Sequence, residues 1–259
     1  MTENPETKQK HDRLFAFLQA FPPEAHPSDT IESANLLIAA IPDAEHPTHI
    51  FYRPRTGGAL GTMKPLATAS LDFGGHCNPL VDALPQEIVF ELAAEPQLAA
   101  LSELFMTERS FSRCGSGFIG KRLSEILVIY AIRRAIAEGT VTAGLLAGLA
   151  HPELHACLVS MHDDPTRPWR VKELAELSGM SRSRFMSEFA ETVGRPPLAY
   201  LARWRLTLAQ LMLSKGYSVK VAAGRVGFGS ASALSRAFSR HFGYAPSEIG
   251  KHHRPLRTQ

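Results

Sequence analysis

A chain of 259 residues, 44% hydrophobic and 20% charged, has the apolar content to bury real cores and the length of about two domains. Its polar start, MTENPETKQKHDR, lacks the apolar run of a signal peptide, and its most hydrophobic stretch, Ile126–Ile132, is too short to span a bilayer; the expectation is a cytoplasmic protein with no membrane partner. The net charge of +3 hides an asymmetry: from Pro152 onward 16 Lys/Arg face 8 Asp/Glu, a net of +8, whereas the preceding residues carry 12 against 17, a net of −5, so a nucleic-acid-binding region is expected at one end only.

In chain order, a helix is predicted around Asp12–Phe21, followed by short β-prone runs at Asn35–Ala39, His49–Arg53, Ala67–Phe73 and Glu87–Leu92, punctuated by Pro and Gly. Helical patterning then takes over at Gln97–Thr107, Ile119–Glu138 and Ala143–Leu149. That order fits a small sheet backed by helices. His46, His49, His76 and His151 form no HxH pair with a spaced Glu and His, so no metal and no cofactor are expected, and His46 and His49 read as solvated residues of a Pro-rich loop.

The three cysteines, Cys77, Cys114 and Cys157, are too few and too widely spaced for a disulfide framework or a CxxC zinc site. Cys77 follows His76 and Cys114 follows Arg113, where a neighbouring cation can lower a thiol pKa, so two readings stand: a redox-sensing pair, or unreactive, partly buried thiols. Cys157, at helical spacing from Leu154, Leu158 and Met161, reads as core.

The most specific signal is an internal repeat. VKELAELSGMSRSRFMSEFAETVGRPP (Val171 to Pro197) matches VAAGRVGFGSASALSRAFSRHFGYAP (Val221 to Pro246). Ala175, Gly179 and Met180 correspond to Ala223, Gly227 and Phe228. After a turn one residue longer in the second copy, Phe185, Phe189, Val193, Gly194 and Pro197 correspond to Leu234, Phe238, Phe242, Gly243 and Pro246. Each copy reads as a short helix, a glycine at a tight turn, and a second helix capped by Ser181 or Ser230, with apolar residues four apart facing a core.

The opposite faces carry the candidate DNA-binding residues: Arg182, Ser183, Met186 and Ser187 in the first copy, Ser232, Ser235, Arg236 and Arg240 in the second, beside Ala231. Short side chains let a helix approach a major groove closely, and arginine can donate two hydrogen bonds to guanine. Between the copies, Pro197 to Gly216 reads as one connecting helix with Leu198, Leu201, Leu208 and Met212 along it, roughly 25 Å of rigid spacer against the ~34 Å repeat of B-DNA grooves.

These residues resemble the AraC/XylS family, above all the ending VGFGSASALSRAFSRHFGYAPSEI, in which a Gly-Phe pair precedes a Ser-rich helix and a Gly-x-x-Pro-Ser segment follows it. The resemblance runs from about Pro152 to Arg254 and implies an initial helix over Glu153–His162 and base contacts from the outward residues above. Ala231, Ala233 and Leu234 are smaller or less aromatic than family members carry, which implies fewer base contacts from the second copy. FGGHCNPLVDALPQEIVFEL, KRLSEILVIYAIRRAIA and LLAGLAHPELHACLVSMHDDPTRPW resemble the cupin-type sensor region of AraC-like regulators, in reduced form, since fewer apolar runs are present than eight barrel strands require.

The expected fold class is therefore α+β: residues 1–150 a reduced cupin-like sheet with helices, for effector sensing and dimerisation, and residues 151–259 an all-α double helix-turn-helix. The expected function is a sequence-specific transcription factor, an activator or a repressor, answering a small-molecule or redox signal, with no enzymatic activity. Its expected partners are double-stranded DNA, RNA polymerase, a small-molecule effector and a second copy of the chain through the helix Ile119–Glu138, whose Leu123, Leu127, Tyr130 and Ala131 serve equally for packing on the sheet. Two other readings stay open: a cupin-like metalloenzyme with an appended DNA-binding domain, and an architectural DNA binder without sequence preference.

Overall fold

Five consecutive apolar residues, Leu36–Ala40, are all buried, as a central strand covered on both faces requires. The computed structural model describes residues 12–28, 30–55, 60–73, 78–110, 113–137 and 144–249. Among them the chain forms two compact units, one of residues 21–73 and 80–137, the other of residues 12–20, 78–79 and 144–249.

The first unit holds a five-stranded antiparallel sheet built from β1 (Glu24–Pro27), β2 (Leu36–Ala40), β3 (His49–Tyr52), β4 (Lys64–Asp72) and β5 (Ile88–Glu91), in the order β1-β4-β2-β3-β5. Leu36 pairs with Tyr52 on one side and Ala69 on the other, and the register to β4 slips between Ile38 and Ala39. Asn35 locks that corner: its side-chain amide donates to the Leu71 carbonyl and accepts from the Leu71 N–H, both at 2.7 Å. Such a doubly bonded amide satisfies buried polar groups that would otherwise be costly. His49 opens β3 rather than lying in a loop, half-buried and stacked on Phe51, because its backbone pairs with Ala39 and Glu91.

After α2 (Pro79–Ala83), two long helices, α3 (Pro96–Ser110) and α4 (Ser116–Ala137), pack against each other and α4 lies along β1. Edge strands present unpaired backbone groups. Here the buried Glu125 of α4 accepts from the Ala25 N–H of β1 at 3.3 Å, and its other oxygen takes Arg122 at 2.7 Å. Leu123, Leu127 and Ala131 face the core, while Phe118, Ile119 and Ile126 are exposed.

The second unit is helical: α1 (Phe15–Ala20), α5 (Leu145–Ala150), α6 (Leu154–Asp163), α7 (Val171–Leu177), α8 (Arg182–Val193), α9 (Pro197–Ser214), α10 (Val219–Val226) and α11 (Ala231–Phe242). The initial helix expected over Glu153–His162 is α6. Cys157 lies in its buried face, its thiol held to the Leu154 carbonyl and pushed up by burial to about 11, so it packs as a small apolar residue. The N-terminal helix α1 belongs to this unit and not to the sheet. Phe17 is fully buried there, 4.5 Å from the His162 ring and 4.6 Å from Trp204. Among the described residues no helix is long and apolar enough to cross a membrane.

Candidate nucleic-acid interface

Both copies of the repeat fold as helix, tight turn, helix. Gly179 and Gly227 turn with φ of +62° and +83°, a region that favours glycine. The second helices start where the hydroxyls stand: Ser181 accepts from the Arg184 N–H at 3.3 Å, and Ser230 from the Ala233 N–H at 3.1 Å. Gly194 and Gly243, both left-handed, close them. Phe185, Phe189 and Val193 are buried on α8, and Leu234 and Phe238 on α11, so the opposite face of each helix is turned to solvent.

On α8 that face carries Arg182, Ser183 and Ser187, all exposed, and the half-buried Met186. The Ser187 hydroxyl donates to Glu191 at 2.8 Å. On α11, Ser232, Arg236 and Arg240 are exposed and Ser235 is half-buried. Arg182, Arg236 and Arg240, expected on the outward faces, are thus exposed there, whereas Arg184 was not singled out by sequence reasoning, because its contacts depend on a distant partner. Arg184 pairs with Glu153 ahead of α6 at 2.7 Å, and Glu188 of α8 meets His151 at 3.2 Å. These contacts anchor α8 sideways and take Arg184 and Glu188 out of the free charge on its face.

The first copy packs closely on α5. A Cβ added to Gly148 would come within 2.6 Å of Leu158 and 2.9 Å of Val193, so the α5–α8 approach depends on that glycine. Behind α8, Phe185, Phe189, Tyr200 and His162 form a run of ring contacts, with His162 Nε2 and the Tyr200 hydroxyl 2.6 Å apart. Burial drives the His162 pKa down to about 3, so the ring is neutral.

The connecting helix α9 has 18 residues, about 27 Å. Pro197 enters its first turn, and Gly216, with φ of +87°, lies just beyond its end. Leu201 is buried, and Leu208 and Met212 pack on the second copy, but Leu198 is 44% exposed. Tyr200 and Trp204, not Leu198, fill the first copy's side of the helix, because the large rings reach the core from positions a turn apart.

In the sheet unit, Cys114 is exposed just ahead of α4, and Cys77 lies outside the described residues. A cavity of about 280 Å³ opens between β1, β4, α3 and α4, lined by Phe105, Glu108, Arg109, Lys121 and Ser124 among others. Arg109 is held over Phe105 and donates to the Thr68 carbonyl at 3.1 Å. Among the described residues no group of three or more His, Cys, Asp or Glu is gathered as for a metal ion.

Known proteins match both units. The helix-turn-helix domain family matches residues 174–252 and the cupin family residues 20–137. A candidate AraC-like transcription regulator of Streptomyces antibioticus is 34% identical over 196 residues, 73% of this chain and 64% of that one. The HTH-type transcriptional regulator AlkR of Acinetobacter baylyi is 36% identical over 182 residues, 68% of this chain and 58% of its own. A candidate AraC-like regulator of Streptomyces lividans is 40% identical over 139 residues, 53% and 46% of the two chains. The chain thus spans about half to two thirds of the length of these relatives.

Proposed function

We propose, from the premise that the chain belongs to the AraC-type transcriptional regulators, that it binds double-stranded DNA in a sequence-specific manner and regulates transcription without catalysing a reaction. The observation that carries this reading is the pairing of two capped recognition helices, each with exposed arginine and serine on its outward face, on one connecting helix of about 27 Å. That length approaches the ~34 Å between successive major-groove faces, so one chain can engage two adjacent grooves. Arg182, Ser183, Met186 and Ser187 would read bases from α8, and Ser232, Ser235, Arg236 and Arg240 would serve α11.

Sensing and dimerisation are assigned to residues 1–150 and DNA reading to residues 151–259, with α1 and α5 supporting the reader they pack with. The exposed Phe118, Ile119 and Ile126 of α4 suit a second copy of the chain. The cavity between α3, α4 and the sheet suits a small effector, and exposed Cys114 suits a redox signal; RNA polymerase completes the partners of a cytoplasmic regulator. Selection of binding sites from random DNA tests the central claim. Two half-motifs about one helical turn apart are expected, and Arg182→Ala should weaken binding to the recovered site by about 1–3 kcal/mol while relaxing its preference there. Equal losses on recovered and random DNA, or no recovered motif, would refute it.

A further inference from the structure

Arg205 stands midway along α9, and its guanidinium spreads over three backbone carbonyls. Nε donates to Pro165 at 2.6 Å, Nη2 to Arg167 at 2.9 Å, and Nη1 to Gly227 at 3.4 Å. Pro165 and Arg167 lie in the segment that leads into α7, and so into the first helix-turn-helix; Gly227 is the turn of the second. One planar side chain therefore bonds to both readers, a task its fixed fork suits and a lysine ammonium does not.

The two sites also touch without it. A Cβ built on Gly227 would lie 2.8 Å from Thr166 Cα, 3.0 Å from the Thr166 carbonyl oxygen and 3.2 Å from Arg205 Cζ. Backbone meets backbone here, and only glycine leaves the room. The segment it meets is itself braced. Asp164 accepts from the Thr166 hydroxyl at 2.8 Å and the Arg167 N–H at 3.1 Å, Trp169 donates to the Asp164 carbonyl at 2.9 Å, and the Arg167 guanidinium sits 4.1 Å over the Trp169 ring. A mobile loop could not transmit an orientation; this one can.

Each copy packs on α9 through its own side chains, the first through Tyr200 and Trp204, the second through Leu206, Ala209 and Leu213. Those contacts fix each reader to the helix. The junction at Arg205 joins the readers to each other. We infer that Arg205, with Gly227 and the Pro165–Arg167 segment, is a positioning device that sets the separation and rotation of α8 relative to α11, and thereby the spacing between half-motifs that the protein accepts. The inference rests on the proposal that both helices read DNA.

The test uses the full chain and the site recovered from random DNA. Duplexes carry the two half-motifs at the selected spacing, one base pair closer, one base pair farther, and one half-motif alone. One base pair shifts a half-motif by about 3.4 Å and turns it by about 35°. The unaltered protein should lose about tenfold or more at either wrong spacing, about the effect of one mismatched base pair. Arg205→Met should weaken binding at the selected spacing, lose less than about threefold on changing it, and hold the single half-motif within about twofold of the unaltered protein. Arg205→Lys keeps the charge and should show the same relaxed spacing, which also covers the case in which Arg205→Met does not fold. Gly227→Ala disturbs the junction without touching a charge and should relax spacing as well.

Three outcomes overturn the inference. Spacing discrimination could persist in Arg205→Lys and Gly227→Ala. Arg205→Met could weaken all duplexes alike, with a salt slope reduced by about 1 and full rescue by Arg205→Lys, which is the behaviour of a phosphate contact. If the unaltered protein selects only one half-motif, the two-reader function fails first, and the positioning role falls with it.

Discussion

The two helix-turn-helix copies share a pattern and differ in what holds them. The first is built into a wide aromatic core, with Phe185 and Phe189 leading to Tyr200, His162, Trp204 and Phe17, and its recognition helix is tied laterally by Arg184 to Glu153 and by Glu188 to His151. The second packs Ala222, Ala223 and Val226 against Leu206, Ala209 and Leu213 of α9, with Leu234, Phe238 and Ile249 buried beside them and Phe242 and Tyr244 in ring contact with Phe238. No ion pair comparable with that of Arg184 holds α11 among the described residues. A repeat in sequence thus yields one reader clamped from several sides and another mounted on a single helix, which makes the direct junction at Arg205 matter most for the second.

The largest expected effect comes from emptying the aromatic core. Phe189→Ala should destabilise the helical unit by about 3–5 kcal/mol in urea unfolding, and amide exchange should accelerate from α6 through α9. Phe238→Ala should instead accelerate exchange mainly in α10 and α11. If either variant loosened both copies equally, the two cores would be one cooperative body and the contrast would dissolve.

Acid provides a sharper cut. His162 is held neutral in the folded chain with its pKa lowered to about 3, whereas an exposed histidine titrates near 6.5. Between those values the unfolded chain binds a proton that the folded chain does not. Stability should therefore fall as pH drops from about 6.5 toward 3, by up to about 1.4 kcal/mol per pH unit. His241 of the second copy is also held below its ordinary range, by partial burial and the nearby Arg203 and Arg195, but it is exposed where His162 is buried. The larger acid loss should therefore show in the exchange of the first copy's amides, and His162→Gln should flatten the slope. A slope unchanged by that substitution would place its origin elsewhere.

The smallest difference is expected at the helix starts. Ser181→Ala and Ser230→Ala each remove one cap hydrogen bond of similar length, so each should cost about 1 kcal/mol of stability. Unequal costs would show that one helix start is supported by something other than its serine.

Much of this architecture was legible in the residues. The serine caps, the turn glycines, the four-residue stripes of α8 and α11 and the single helix of α9 all follow from local geometry, in which each backbone position constrains its neighbours within a turn or two. The outward placement of Arg182 and Arg236 follows from the same periodicity. In the sheet, β2, β3, β4 and β5 were visible as β-prone runs, but β1 was not, since four residues ending in Pro27 carry no alternation to detect. The stripe expected along α9 included Leu198, which the folded chain leaves exposed. Helical period marks a face, but the neighbouring rings decide how wide that face is.

What the amino-acid sequence determined by itself was the repeat and therefore the pair of readers, because hydrophobic period, capping and turn chemistry act over a few residues. Only the tertiary structure decided that the N-terminal helix joins the reader through Phe17, that Arg184 is bound across 31 residues to Glu153, and that Arg205 reaches 38 and 22 residues away to hold both copies. Such contacts depend on where packed helices bring distant backbone carbonyls and carboxylates together, and no local pattern records that.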